Sequence, residues 1–302
     1  MKLGFVSAIL DGWTFEETID TARELGFECV EMACWPQGKS ERRYAGVSHI
    51  DVTNRSEEYC QYILNYCKER SVEISSLAFY PNTLDPVNGP AAVTHLYHLI
   101  DMSALLGVNM ITTFIGRVQT KTVDENIKLA KTVWTPILTY AKEKGVKVAI
   151  ENCPMLFDDG QWPGGQNIFT TPANWEKVFE ALPFDNLGIN YDPSHFIWQM
   201  IDYIKPIYKF KDRIFHVHCK DIKLYRAKLN EVGIMGYPLQ FMSPKLPGLG
   251  DVDWGKYISA LTDVGYNGSV CIEVEDRAFE STKERVLDSL KLSGRYLRNF
   301  VQ

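Results

Sequence analysis

Apolar residues along the chain fall into short runs that alternate with longer stretches repeating at helical spacing. The short runs are LGFV (3–6), CVEM (29–32), VEISSLAF (72–79), NMITTF (109–114), KVAIEN (147–152), LGINYD (187–192), RIFHVHC (213–219) and SVCIEVE (269–275). Their length and their branched or aromatic content predict strands. Segments 14–25, 56–70, 90–106, 122–144, 172–182, 197–211, 253–264 and 279–299 carry the periodicity of amphipathic helices. Several close on a glycine stop, as in ARELGF, ALLGVN, KEKGVK and DVGYNG. Strands alternating with helices in this way predict parallel pairing through helical crossovers. The α/β class and a single (β/α)8 TIM barrel over residues 1–302 follow from the count and the length. A doubly wound sheet is the rival, but the turn after the first strand reads SAILDGWT and lacks its glycine-rich pattern.

Three strand-to-helix connections are long: 33–55, 153–171 and 220–252. In a barrel they lie at the face formed by the strands' C-terminal ends, where barrel active sites are built. They contain Trp35, Arg42, Arg43, Trp162, Tyr237 and Phe241, a composition too aromatic for disorder. A lid over an active site and a contact in an oligomer are both compatible with it.

Side chains alternate across a strand, so strand ends can be sorted by parity. Glu151 shares a face with Ala149, and Asp192 shares one with Asn190 and Gly188. His216 and His218 share a face, as do Cys271, Glu273 and Glu275. The opposite faces carry Val148 and Ile150, Ile189, Phe215 and Val217, and Val270, Ile272 and Val274, which suit packing beneath a helix layer. The last four strands therefore present Glu151, Asp192, His218 and Glu273 at one mouth. Three carboxylates gathered there repel unless a cation is shared. An oxygen-rich set with one imidazole favours Mn2+ foremost, then Co2+ or Mg2+, with Zn2+ also compatible. Taken singly, each residue has a plainer role. A lone Glu is a salt-bridge partner, Asp192 in DPSH caps a helix start, His195 steadies that turn, and His216 is a hydrogen-bonded core histidine.

Composition narrows the partners. Lys and Arg number 32 against 38 Asp and Glu, a net charge of −6, with no basic run. Nucleic acid and anionic membrane surfaces are thereby disfavoured. No apolar run approaches a membrane span, and the N-terminal stretch turns acidic too soon for a signal peptide. The seven cysteines are odd in number and irregular in spacing, which points to free thiols and a cytoplasmic setting. A small-molecule substrate is expected, with a homo-oligomer or a second subunit as the open question of assembly.

The segments IEN (150–152), YDPSH (191–195), HVHCKD (216–221), LPGLGDVDW (246–254) and GYNGSVCIEVED (265–276) resemble the xylose isomerase-like sugar isomerase/epimerase superfamily. The resemblance covers the C-terminal half in order, whereas the N-terminal half matches in its βα rhythm alone. It implies that Glu151, Asp192, His218 and Glu273 ligate one divalent metal and that His195 contacts a substrate hydroxyl. It also implies a mechanism in which chelation of a carbonyl and its neighbouring hydroxyl acidifies the C–H between them and stabilises an enediolate. Glu151 and Glu273 would then exchange the proton on opposite faces of a ketose, giving isomerisation or epimerisation. Lys220 would support the oxyanion. Trp35 and Trp162 would stack on the sugar, Trp35 serving equally well as a hydrophobic plug, and Arg42 or Arg43 would reach an outer hydroxyl or carboxylate. Free-ketose epimerases commonly carry an arginine shortly after the metal histidine. Leu224 stands there in this chain, with Arg226 near by. That departure, with the long loops, keeps a dehydratase or lyase acting on an inosose or 3-keto-glycoside as the alternative.

Other classes fit less well. A phosphate cradle after the last two strands is missing. Abasic-site endonucleases of the superfamily need histidines where AFYPN and TFIGR stand. A non-catalytic barrel would be expected to lose a ligand, and a serine hydrolase would carry GxSxG, which does not occur.

Overall fold

Helix starts are written locally. Thr14 and Glu17 form a reciprocal capping box at α1 (Phe15–Glu24), and Thr122 and Glu125 form another at α4 (Val123–Glu143). Ser56 caps α2 (Glu57–Arg70), Thr171 caps α5 (Pro172–Ala181), and Thr282 caps α10 (Lys283–Leu297). Helices α3 (Gly89–Leu105) and α9 (Trp254–Asp263) complete the long members of the outer layer. The computed structural model describes residues 1–36, 38, 44–156 and 158–301.

Inside these helices runs a closed barrel of eight parallel strands. Seven follow in order: β1 (Lys2–Val6), β2 (Cys29–Ala33), β3 (Glu73–Ala78), β4 (Met110–Thr113), β5 (Lys147–Glu151), β6 (Leu187–Tyr191) and β7 (Ile214–Cys219). The eighth stave is β10 (Ser269–Ile272), which closes the ring between β7 and β1. The predicted TIM barrel is thus the observed fold. Its outward strand residues, Val148, Ile150, Ile189, Val217, Val270 and Ile272, are buried in the layer shared with the helices. Cys219 belongs to that layer too. None of the helices among the described residues is long and apolar enough to cross a membrane.

Two segments differ from the periodicity reading. Segment 197–211 is not one helix but two short ones, α6 (Ser194–Trp198) and α7 (Lys205–Lys209). Met200 takes a positive φ of 58°, and Asp202 Oδ1 accepts from the amides of Ile204 and Lys205, restarting the chain ahead of Pro206. Apolar spacing runs through such a break, but the backbone does not. The loop 220–252 is built: β8 (Asp221–Leu224) and β9 (Met242–Lys245) form an antiparallel hairpin around α8 (Arg226–Val232).

Asp221 fastens this loop to the barrel. Its carboxylate accepts from the amides of Ile222 (2.8 Å), Gly248 (2.9 Å) and Val252 (3.1 Å), and from Trp254 Nε1 (2.9 Å). A Cβ at Gly250 would lie 2.2 Å from Asp221 Oδ1, so the backbone passes where only glycine fits. HVHCKD and LPGLGDVDW therefore meet at a buried carboxylate. Asp221→Ala is expected to cost on the order of 3 kcal/mol, since four donors lose a charged acceptor. Urea denaturation of variant and parent measures it.

Candidate metal centre and its pocket

Four strand ends bring four side chains round one point. Glu151 closes β5, Asp192 follows β6, His218 is penultimate in β7, and Glu273 follows β10. Glu273 keeps the sheet register through its amide, which donates to Cys219 O. Asn152 ties β5 to β6 by accepting from the Asp192 amide (2.8 Å) and donating to its carbonyl (2.9 Å). One ligand atom from each of the four lies within 4.8 Å of the others. His218 Nδ1 is 3.5 Å from Glu151 Oε1 and 3.2 Å from Glu273 Oε2.

The unused atoms show what fits there. Glu151 Oε1, Asp192 Oδ2 and His218 Nδ1 are buried without a hydrogen bond among the described residues. Asp192 divides its work: Oδ1 accepts from the Ser194 amide at 2.8 Å, an Asx turn just ahead of α6, while Oδ2 faces the centre. Lys220 Nζ stands 2.8 Å from Glu273 Oε2, 3.1 Å from Asp192 Oδ2, and 3.8 Å from Glu151 Oε1. It balances part of the charge, yet one ammonium cannot satisfy every oxygen. Three carboxylates and an imidazole nitrogen converging in this way form a donor set suited to a divalent cation, and these four residues would hold it.

The protonation states follow from the contacts. Burial would raise the Glu151 carboxyl, but Lys220, with His195 and His218, pulls it well below the usual carboxylate range. Burial opposes ionisation of Glu273 as well, and Lys220 holds that carboxyl down to about 2. Lys220 loses solvation, yet Glu273, Glu275, Asp192 and Glu151 raise it well above the ordinary lysine value.

Below the centre lies Glu31, fully buried on β2, which the strand pattern did not single out. Its Oε2 is 2.9 Å from His218 Nε2, and its Oε1 accepts from Tyr80 Oη at 2.5 Å. A directional chain runs beneath it. His216 Nδ1 donates to Asn190 Oδ1 (3.1 Å), Asn190 Nδ2 donates to Tyr80 Oη (3.1 Å), and Tyr80 donates to Glu31. His218 Nε2–H then donates to Glu31, a role assigned from this network. Burial opposes its charging, yet Glu31, with Glu151 and Glu273, raises the imidazole well above its ordinary value, so Nδ1 carries a proton whose place a bound cation would take. Burial lowers His216 to about 4, as a neutral core histidine requires. Glu31, His216 and His218 also form a cluster of ligand type, but Glu31 is engaged by His218 and Tyr80, and His216 by Asn190 and Ser75. A carboxylate among apolar neighbours in CVEMA was the one local hint.

The remaining expected residues separate into near and far. His195 Nε2 lies 3.3 Å from Asp192 Oδ2 and 3.5 Å from Glu151 Oε1. Trp35 packs edge-on against Phe79 and lines a small chamber of about 70 Å3 with Tyr80, Glu151, Lys220 and Glu273. Trp162 does not line this chamber or its larger neighbour. Its Nε1 donates to Met235 O (3.0 Å) and its ring meets Trp198, so it braces two loops together. Arg226 is carried away by the β8–β9 hairpin and lines a separate depression with Asp202, Leu224 and Asp251. Arg42 and Arg43 lie outside the described residues. Cys153, which the strand-end parity passed over, stands beside Glu151 and His195.

The family model of the xylose isomerase-like TIM barrel matches residues 19–296. The chain belongs to that family. Among curated proteins, an inosose dehydratase of Clostridium perfringens strain 13 is 23% identical over 311 residues, covering 96% of each chain. Among solved structures, D-psicose 3-epimerase from Clostridium cellulolyticum H10 superimposes with a TM-score of 0.71 at 15% identity, over 100% of both chains. The IolI protein with a bound zinc atom gives 0.72 at 18% identity over 99% of both. In this xylose isomerase-like chain the ligand-type residues stand on barrel strands β2, β5 and β7 and just beyond β6 and β10.

Glu31→Gln is expected to weaken divalent metal binding about 10- to 100-fold, because the amide no longer fixes the His218 tautomer. Calorimetric titration with Mn2+ reads that change directly. A pH effect follows from Glu273. Its carboxyl titrates lower folded than unfolded, so the stabilisation is complete above about 4.3 and is lost as pH falls toward about 2. Lys220→Met removes the cause, and the metal-free variant's urea midpoint should change less than the parent's between about pH 5 and pH 3.

Proposed function

We propose that this protein is a metal-dependent enzyme that moves a proton at the carbon beside the carbonyl of a ketose or keto-sugar derivative. The observation carrying this reading is the convergence of three orphaned buried atoms, Glu151 Oε1, Asp192 Oδ2 and His218 Nδ1, beside Glu273 and Lys220. A divalent cation, Mn2+ foremost, would polarise the carbonyl and offset the negative charge developing on it. The IolI structure, which shares this fold, has a bound zinc atom, and that supports a metal in this barrel.

The chain's own groups divide the remaining work. Glu151 is ionised and buried, a carboxylate ready to take the proton. Glu273, reaching the centre from β10, stands where it can return one, which gives isomerisation or epimerisation. Lys220 and His195 lie within reach of the oxygen on which charge gathers.

A second reading, dehydratase or lyase, is favoured by one feature. Glu151 and Glu273 both rest ionised, so a two-base exchange first needs a proton delivered to Glu273. Elimination needs one base and one acid, and Lys220 rests protonated beside them. Glu151 would take the C–H proton while Lys220 protonates the departing oxygen. The relative named inosose dehydratase supports this outcome, and the relative named D-psicose 3-epimerase supports the first. Free thiols at all seven cysteines suit a reducing cytoplasm. A sugar-sized substrate and no nucleic-acid partner complete the reading, with a second copy or subunit an open part of the assembly.

The reaction is tested by NMR in D2O with metal-loaded protein and a panel of ketoses, inososes and 3-keto-glycosides. Deuterium should enter beside the carbonyl, and Glu151→Gln and Glu273→Gln should each slow its entry by roughly 10²–10⁴. Inversion without loss of mass marks the epimerase, and release of water or aglycone marks the lyase. No incorporation across the panel sinks the proposal.

A further inference from the structure

The pocket has two parts. The small chamber, about 70 Å3, touches Glu151 and Glu273 and has room for on the order of two waters at ~30 Å3 each. That suits a carbonyl and its neighbouring hydroxyl. Beside it opens a larger chamber of about 350 Å3, and the two share Cys153, Lys220 and Glu275. Its volume lies within the roughly 300–1,000 Å3 of pockets that enclose drug-sized ligands.

One wall of the larger chamber is apolar and aromatic. Met155 and Leu156 come from the loop after β5, Trp198 from the end of α6, and Tyr237, Leu239 and Met242 from the loop after β7. A free sugar carries hydroxyls on every side, and each one buried against such a wall loses its water without gaining a partner. Charged groups do reach the chamber. Ser194, His195 and Arg277 line its polar side together with Lys220 and Glu275, and Asp221 is occupied with its four donors. Two polar atoms belong to the aromatic wall itself: Trp198 Nε1 and Tyr237 Oη are buried with no hydrogen bond among the described residues. Trp198 is 4% exposed. The walls are also held in place, since Trp162 links the two loops through Met235 O and packs against Trp198.

We infer that the substrate is bipartite: a keto-sugar head on the four-residue centre, and an apolar, ring-bearing aglycone in the larger chamber. This rests on the proposed proton chemistry for the head alone, because the aromatic wall, Trp198, Tyr237, Leu239 and Met242, takes no part in it. An aromatic ring between Trp198 and Tyr237 gains burial and edge contacts, and an oxygen on that ring gives the two orphaned atoms a partner.

The test uses the full-length, Mn2+-loaded protein and two alkoxy glycosides whose leaving groups are similarly basic, methyl and benzyl. Deuterium uptake is followed for their 3-keto forms, and calorimetry measures binding of the plain glucosides, which lack the keto group. The benzyl compound should exceed the methyl one by about tenfold or more in kcat/KM, and benzyl glucoside should bind more tightly by a similar factor. Leu239→Glu, at the 44% exposed rim, should lower the benzyl kcat/KM about tenfold and the methyl value by a smaller factor. Equal rates and equal binding for methyl and benzyl overturn the bipartite substrate and leave the proton chemistry standing. Benzyl-selective binding with no deuterium uptake upholds the chamber and overturns the chemistry instead.

Discussion

Carboxylates crowded into a dry barrel mouth are the constraint to which the rest of this molecule answers. Glu31, Glu151 and Asp192 are almost wholly buried, and Glu273 is 18% exposed at its side chain. In so low a dielectric their repulsion would push protons onto them unless positive charge and donors were fixed close by. The fold supplies Lys220 above and a one-way hydrogen-bond chain below. His216 donates to Asn190, Asn190 to Tyr80 and Tyr80 to Glu31, and Glu31 in turn holds the Nε2 proton of His218. The charge left over at Glu151, Asp192 and Glu273 is what makes the mouth a place for a cation.

The same economy explains why the polar residues lie in layers. Asn190 and His216 are paired across β6 and β7, one step deeper than His218. Above them, Asn152 stitches the ends of β5 and β6, so that Glu151 and Asp192 are aimed by neighbours rather than by loops. Sites held by strand ends are stiffer than sites held by connections, which suits chemistry that depends on short proton paths. The connections do a different job. Asp221 pins the hairpin, Trp162 bridges it to the loop after β5, and together they raise an apolar wall beside a charged floor.

Period-two alternation was enough to find Glu151, Asp192, His218 and Glu273, because whether a residue points inward is a local property of its strand. The barrel itself followed from the order of strands and helices, since parallel strands joined by helical crossovers have few ways to close. Local pattern also pointed to both uses of Asp192, as turn former and as inward carboxylate, without being able to say that one oxygen serves each; the cap expected of it falls to Pro193 instead.

Glu31 shows where that kind of reading stops. It lies 187 positions from His218, and its importance arises because β2 and β7 face each other across a closed barrel. Loops are harder still, for they have no period to sort their side chains. Trp162 and Arg226 had the right chemistry for a pocket, but a backbone acceptor at Met235 and an outward-running hairpin took them elsewhere. Segment 197–211 broke at Asp202 because a side chain capturing two amides outweighs apolar spacing. Strand faces, caps and the order of elements were set by interactions within a few residues, and the sequence states those openly. Which carboxylate supports which histidine, and which aromatic walls the pocket, came from closure of the ring and the packing of its loops, contacts that exist only once the chain has folded.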